Sequence, residues 1–130
     1  MANTYVKIAS TTVGATAVSS VEFTSIPSNY DDLLIKASTR NDDSASTSGS
    51  YYIIYFNSLA TSYSARFLRG NGSAASSGTF AQYAGNSTTT GQTASTFSND
   101  EIHIPNYAGS TNKSYNANIV TGKQIGRAHV

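Results

Sequence analysis

The stretch Asp100-Glu101-Ile102-His103-Ile104-Pro105 carries two isoleucines two positions apart, with Glu101 and His103 opposite them. Successive side chains of an extended backbone point to opposite faces, so this is the pattern of a half-buried strand and not of a helix. Pro105 stops the run, since a residue without an amide hydrogen cannot donate to a ladder. The same period of two recurs outward along the chain. Ser114–Val120 sets Tyr115, Ala117 and Ile119 against Asn116, Asn118 and Val120, and Ser62–Arg69 sets Tyr63, Ala65 and Phe67 against Ser64, Arg66 and Leu68. Asp32–Thr39 holds Leu33, Leu34, Ile35 and Ala37 between Asp31-Asp32 and Asn41-Asp42-Asp43. Ser19–Thr24 alternates Val21 and Phe23 with Glu22 and Thr24, and Thr4–Ala9 alternates Val6 and Ile8 with Tyr5 and Lys7. Tyr51–Asn57 is the most apolar segment, and its β-branched and aromatic content predicts a strand near the centre of a sheet. Thr79–Tyr83 is a fainter candidate.

Polar connectors separate these runs: Asn41–Ser50, Gly70–Ser77 and Gly85–Thr96, all rich in Ser, Thr, Asn and Gly. Such stretches offer little apolar area to offset the entropy of ordering, and they read as surface loops. Pro27, like Pro105, follows an isoleucine that closes a predicted strand. Seven or eight short strands with no amphipathic helix predict an all-β domain, an antiparallel β-sandwich of jelly-roll kind.

Composition narrows the function classes. The 130 residues carry 8 Lys and Arg against 7 Asp and Glu, a net charge of +1. That is too little positive charge for binding driven by phosphate neutralisation, so nucleic acid is not an expected partner. There is no Cys, hence no disulfide framework and no thiolate metal site. No apolar run approaches the length of a membrane span, and the leading residues do not form a signal peptide. Ser, Thr, Asn and Gly make up 58 of 130 residues, yet nine Tyr and five Phe argue for an ordered core.

The last six residues, Ile125-Gly126-Arg127-Ala128-His129-Val130, back-translate through the genetic code to ATC-GGA-AGA-GCA-CAC-GTC, a string found in a common short-read sequencing adapter whose next codon is a stop. They read as translated adapter and are set aside from fold reasoning. On this reading residues 1–124 form one sandwich domain that is incomplete at its C-terminus, and 125–130 are a non-native tail. Setting Arg127 aside lowers the eight basic residues to seven, equal to the seven acidic ones, and leaves His103 as the single histidine of the natural part.

The chemically capable residues form no recognisable catalytic or cofactor motif. His103 would need a nucleophile and an orienting acid to catalyse; the plainer reading is a surface or interface histidine. Asp31-Asp32, Asp42-Asp43 and Asp100-Glu101 are acidic pairs, but neighbours on a strand face opposite ways, so no pair alone supplies the facing carboxylates of glycoside hydrolysis. Asn41-Asp42-Asp43 could offer oxygen ligands to Ca²⁺ but lacks the spacing of a dedicated loop, which favours solvated turn residues. Arg66 and Arg69 lead into Gly70-Asn71-Gly72, where a β-turn is the simpler reading than a phosphate site. Tyrosine is the most informative residue type, because its flat apolar ring and hydroxyl suit sugar stacking and protein interfaces alike. The candidate ligand or interface surface is therefore Tyr52, Tyr63, Tyr83 and Tyr107 with Asp42, Asp43 and His103, against the alternative that most of the tyrosines pack in the core.

Three stretches resemble a known group: Val21-Glu22-Phe23-Thr24-Ser25-Ile26-Pro27-Ser28-Asn29-Tyr30-Asp31-Asp32-Leu33-Leu34-Ile35; Tyr55-Phe56-Asn57 through Tyr63 to Arg69-Gly70-Asn71-Gly72-Ser73; and Glu101-Ile102-His103-Ile104-Pro105-Asn106-Tyr107 with Lys113-Ser114. Their order and spacing are similar to those of poorly characterised structural proteins of tailed bacteriophages, the tail-fibre or virion proteins of environmental viral sequence. The resemblance implies a non-enzymatic virion component without catalytic residues or cofactors. It also implies further strands beyond this chain, in whose absence a sheet edge and some apolar surface would stand uncovered. The expected partners are other virion proteins and further copies of the chain, with a cell-surface glycan as a possible receptor. The alternative is a carbohydrate-binding module of a bacterial surface protein or secreted enzyme.

Overall fold

The computed structural model describes residues 5–46 and 49–121. The tail at 125–130, the boundary at 124 and Thr4 of the first predicted strand lie outside the described residues. Among the described residues there are seven strands and no helix, so the chain is all-β. The strands are β1 (Leu33–Asn41), β2 (Ser50–Tyr52), β3 (Ala65–Gly70), β4 (Ala75–Phe80), β5 (Gly85–Thr89), β6 (Ser98–Ile104) and β7 (Asn116–Val120). Five of them form one sheet in the order β2-β5-β1-β6-β7, and β3-β4 is a separate antiparallel hairpin.

The sheet is mixed, which corrects the purely antiparallel expectation. β1 runs antiparallel to β6 from Leu33↔Ile104 to Thr39↔Ser98, but its far end lies parallel to β5 at Arg40↔Thr88 and Asn41↔Thr89. Two stacked sheets of a jelly roll are not what these pairings describe. β6 behaves as its alternation dictates: Ser98, Asp100, Ile102 and Ile104 are buried and the residues between them exposed. Directly opposed residues share a face. The inner face therefore also takes Leu33, Ile35, Ala37 and Thr39 from β1, and Ala117 and Ile119 from β7. The fully buried apolar residues are Ala84, Ile102 and Ile104, with Leu33, Ile35, Tyr52, Ile54, Phe56, Tyr107, Tyr115 and Ala117 packed around them.

The sheet curls so that its β5 end returns over this face. At Gly85 a β-carbon would stand 2.7 Å from the Tyr52 hydroxyl and collide with the Ile119 methyl of β7. Glycine is what lets β2 and β7 close on β5 here. The Tyr115 hydroxyl, just before β7, donates to the Tyr83 carbonyl, just before β5, and closes the same seam.

Three expectations fail, each for a physical reason. Gly85–Thr89, predicted as part of a loop, is a strand whose Ser87, Thr88 and Thr89 are buried. Its hydroxyls are all satisfied: Thr88 Oγ1 donates to the Thr96 carbonyl (2.8 Å) and the Thr39 carbonyl (3.1 Å), Ser87 Oγ to the Thr88 carbonyl, and Thr89 Oγ1 to the Ser46 carbonyl. Hydrogen bonding removes most of the cost of burying such groups. Arg40 holds the following loop by donating to the carbonyls of Thr96 (2.8 Å) and Thr93 (3.0 Å). Tyr51–Asn57 is not a central strand; only Ser50–Tyr52 pairs, at the sheet edge, and Ile54 and Phe56 cover the core without joining a ladder. Residues 5–29 form no strand at all and are exposed throughout, including Ser19–Thr24 and the described part of the first predicted strand, residues 5–9. Alternation fits a chain to a sheet surface, but a strand needs a hydrogen-bonded neighbour, and these runs pair with none. In addition, β4 begins at Ala75, inside a segment expected to be loop.

Candidate interaction surfaces

The residues singled out in the sequence do not converge. His103 lies on the outer face at the end of β6, where its Nε2 is 3.0 Å from Asp32 Oδ2, while Asp32 Oδ1 accepts the Asn106 amide (2.9 Å). That amide, then His103, holds the Asp32 carboxyl below its ordinary value. Among the described residues no hydroxyl is hydrogen-bonded to this pair, so it is an acid and an imidazole without an aligned nucleophile. Asp42 is exposed, and its carbonyl accepts Thr90 Oγ1. Asp43 forms a turn, its Oδ1 accepting the Ala45 amide at 2.9 Å. No three His, Cys, Asp or Glu side chains converge as a metal site among the described residues.

The four tyrosines part company. Tyr63 accepts the Phe56 amide at its hydroxyl (2.9 Å) and lies against the rings of Tyr55 and Phe56. Tyr107 packs on the core and donates to the Pro27 carbonyl, tethering residues 5–29 where they meet the sheet. Tyr83 joins an aromatic group on the hairpin, and Tyr52 turns its hydroxyl inward. The four candidate tyrosines thus occupy four separate settings.

Two features were not singled out in the sequence. The first is the aromatic group. Phe80 of β4 stacks on Phe67 of β3 and on Tyr83, each with centroids 5.2 Å away, and Tyr51 of β2 stacks on Phe80 at 6.1 Å. The Arg69 guanidinium lies 5.6 Å over the Phe67 ring. These rings carry the hairpin on the edge of the sheet, and Tyr51 at the end of the stack is 64% exposed. The rings come from three segments, around Tyr51, Phe67 and Phe80–Tyr83, so local spacing reveals only the last pair.

The second feature is Asp100, which is 4% exposed on the inner face. Its Oδ2 accepts Ser98 Oγ (3.0 Å) and Thr39 Oγ1 (3.3 Å). Its Oδ1 and the Tyr52 hydroxyl are the two buried side-chain polar atoms without a hydrogen bond among the described residues. The two groups are near enough to couple electrostatically but are not aligned as a bond. Burial raises the Asp100 carboxyl above its ordinary value against the opposing effect of its hydroxyl neighbours, and burial first, then Asp100, raises the Tyr52 phenol strongly. A signal for this existed: position 100 shares parity with Ile102 and Ile104, so the alternation itself assigns Asp100 to the buried face.

Residues 5–29 are exposed throughout, and Val6, Val13, Val18, Val21, Phe23 and Ile26 stand among them. Comparison with known protein families, curated proteins and solved structures finds no match to this chain.

Proposed function

We propose that this chain is a non-enzymatic structural protein of a bacteriophage virion, a tail-fibre or capsid-exterior component that contributes to assembly or host attachment. The observation that carries the assembly part is the leading segment 5–29, which is exposed, pairs with no strand and carries Val6, Val13, Val18, Val21, Phe23 and Ile26. A protein that works alone rarely leaves so much apolar side chain in water, whereas one completed by neighbours does. The phage part rests on the sequence resemblance. Peptide mass spectrometry of purified particles, with the uninterrupted gene read in its neighbourhood, tests it. Peptides of this chain in the particle and flanking structural genes are expected. Absence from particles beside a cluster of glycan-degrading genes contradicts the proposal.

One observation favours the second reading, a carbohydrate-binding module: the exposed Tyr51 ring at the end of the aromatic stack, a flat apolar face of the kind on which a pyranose packs. A glycan array with the whole chain should then give binding that Tyr51→Ala removes. Silence across the array rules out this reading.

A further inference from the structure

We infer that residues 19–24 of one copy of this chain add as an edge strand to β7 of a second copy, and that the exchange is mutual. The inference deepens the proposed assembly role and rests on that reading.

Acceptor and donor match in length and chemistry. β7 is an outer strand of the sheet, bonded to β6 along one side. Its sequence, Asn116-Ala117-Asn118-Ile119-Val120, contains no Pro, Lys or other charge. Sheet edges are ordinarily protected by such residues, by bulges or by covering chain. The donor Ser19-Ser20-Val21-Glu22-Phe23-Thr24 is also uncharged but for Glu22, and the left-handed backbone at Ser25 (φ 55°) ends the run. Laid beside β7, Val21 and Phe23 would continue the inner face of Ala117 and Ile119, and Glu22 would stay in water. In the single chain Val21 and Phe23 are 46% and 40% exposed, so the energetic benefit of burying them is still to be had.

The occupant is a second copy for two reasons. Within one chain the run pairs with neither sheet edge, although Tyr107 tethers nearby Pro27 beside the sheet. Each copy also carries both this donor run and a β7 edge, so mutual exchange closes as a two-fold dimer in which both are covered, while the β2 edge at the other side of the sheet is left as it is. Residues 5–29 carry one Lys and one Glu, so apolar burial and backbone bonding drive the contact, and salt should barely change it.

The test uses the whole chain, which has no cysteine to interfere. Glu22→Cys and Asn118→Cys are introduced together, both at exposed positions, and the protein is treated with a short bis-maleimide. The expected product is a covalent dimer that does not extend into a ladder, in which an isotopically mixed sample gives peptides linking residue 22 of one copy to residue 118 of the other. Adding Phe23→Asp should raise the concentration needed for dimer by about tenfold or more without changing the circular dichroism. An internal link within a monomer, an open ladder or no link at all overturns the inference. Dimers formed by a chain that is absent from virions would contradict the proposed function and leave this inference standing; a virion protein that stays monomeric would do the reverse.

Discussion

Gly85–Thr89 and Ser19–Thr24 are opposites. The first is entirely polar or Gly, shows no alternation, and is among the most buried segments of the chain; the second alternates cleanly and is exposed throughout. Side-chain pattern says which surface a strand could fit, while a partner decides whether there is a strand. β5 has partners on both sides, β2 and β1, and hydroxyls that find carbonyls on neighbouring segments. Residues 19–24 pair with no described strand of their own chain.

The comparison can be broken most severely at Gly85. Gly85→Ala places a methyl group against Tyr52 and Ile119 and should cost about 1–3 kcal/mol in denaturant unfolding. A neutral result would mean that β5 does not pack as closely as described. Asp100 sharpens the comparison through pH. Its folded value is raised above the ordinary 3.8, so the unfolded chain releases its proton first and stability falls as pH rises from that value through the folded one. Asp100→Asn should abolish that decline in a pH series of unfolding midpoints. Asp32 acts in the opposite sense, with a folded value below 3.8, so its contribution is present above that pH and fades as acid is added.

Thr88→Val should have a smaller effect, about 1 kcal/mol, because the Thr96 carbonyl keeps Arg40 and the Thr39 carbonyl keeps Ser98 as donors. A loss of several kcal/mol would mean those carbonyls depend on Thr88 alone. Val21→Ser in dilute protein should be smallest, within about 0.5 kcal/mol of wild type, since the residue is 46% exposed and lies outside the core cluster of the single chain. A large loss there would place residues 19–24 inside the monomer's own fold.

The same contrast explains what could be read in advance. β6, β1, β7 and β3 were legible because Ile102 and Ile104, Leu33 and Ile35, Ala117 and Ile119, and Ala65 and Phe67 recur at the strand period. The β5 strand was hidden because its burial is supported by hydroxyl-to-carbonyl bonds across 43 and 49 residues of sequence, which composition records only as a polar loop. The mixed sheet was hidden for a similar reason: two parallel pairs at Arg40 and Asn41 leave no local signature. Among the site residues, His103 was rightly placed on the face opposite the isoleucines, but its partner Asp32 lies 71 positions away. Tyr52 is one of the candidate surface tyrosines of the sequence, and it falls to the alternative of core packing, its hydroxyl buried near Asp100.

The most direct measurement is segment-resolved amide hydrogen exchange across a dilution series. β5 and β6 should exchange slowly at every concentration, while residues 19–24 should exchange fast in dilute protein and slow down as concentration rises. Fast exchange in β5, or protection of residues 19–24 that does not change on dilution, would contradict the claim that a partner makes the strand.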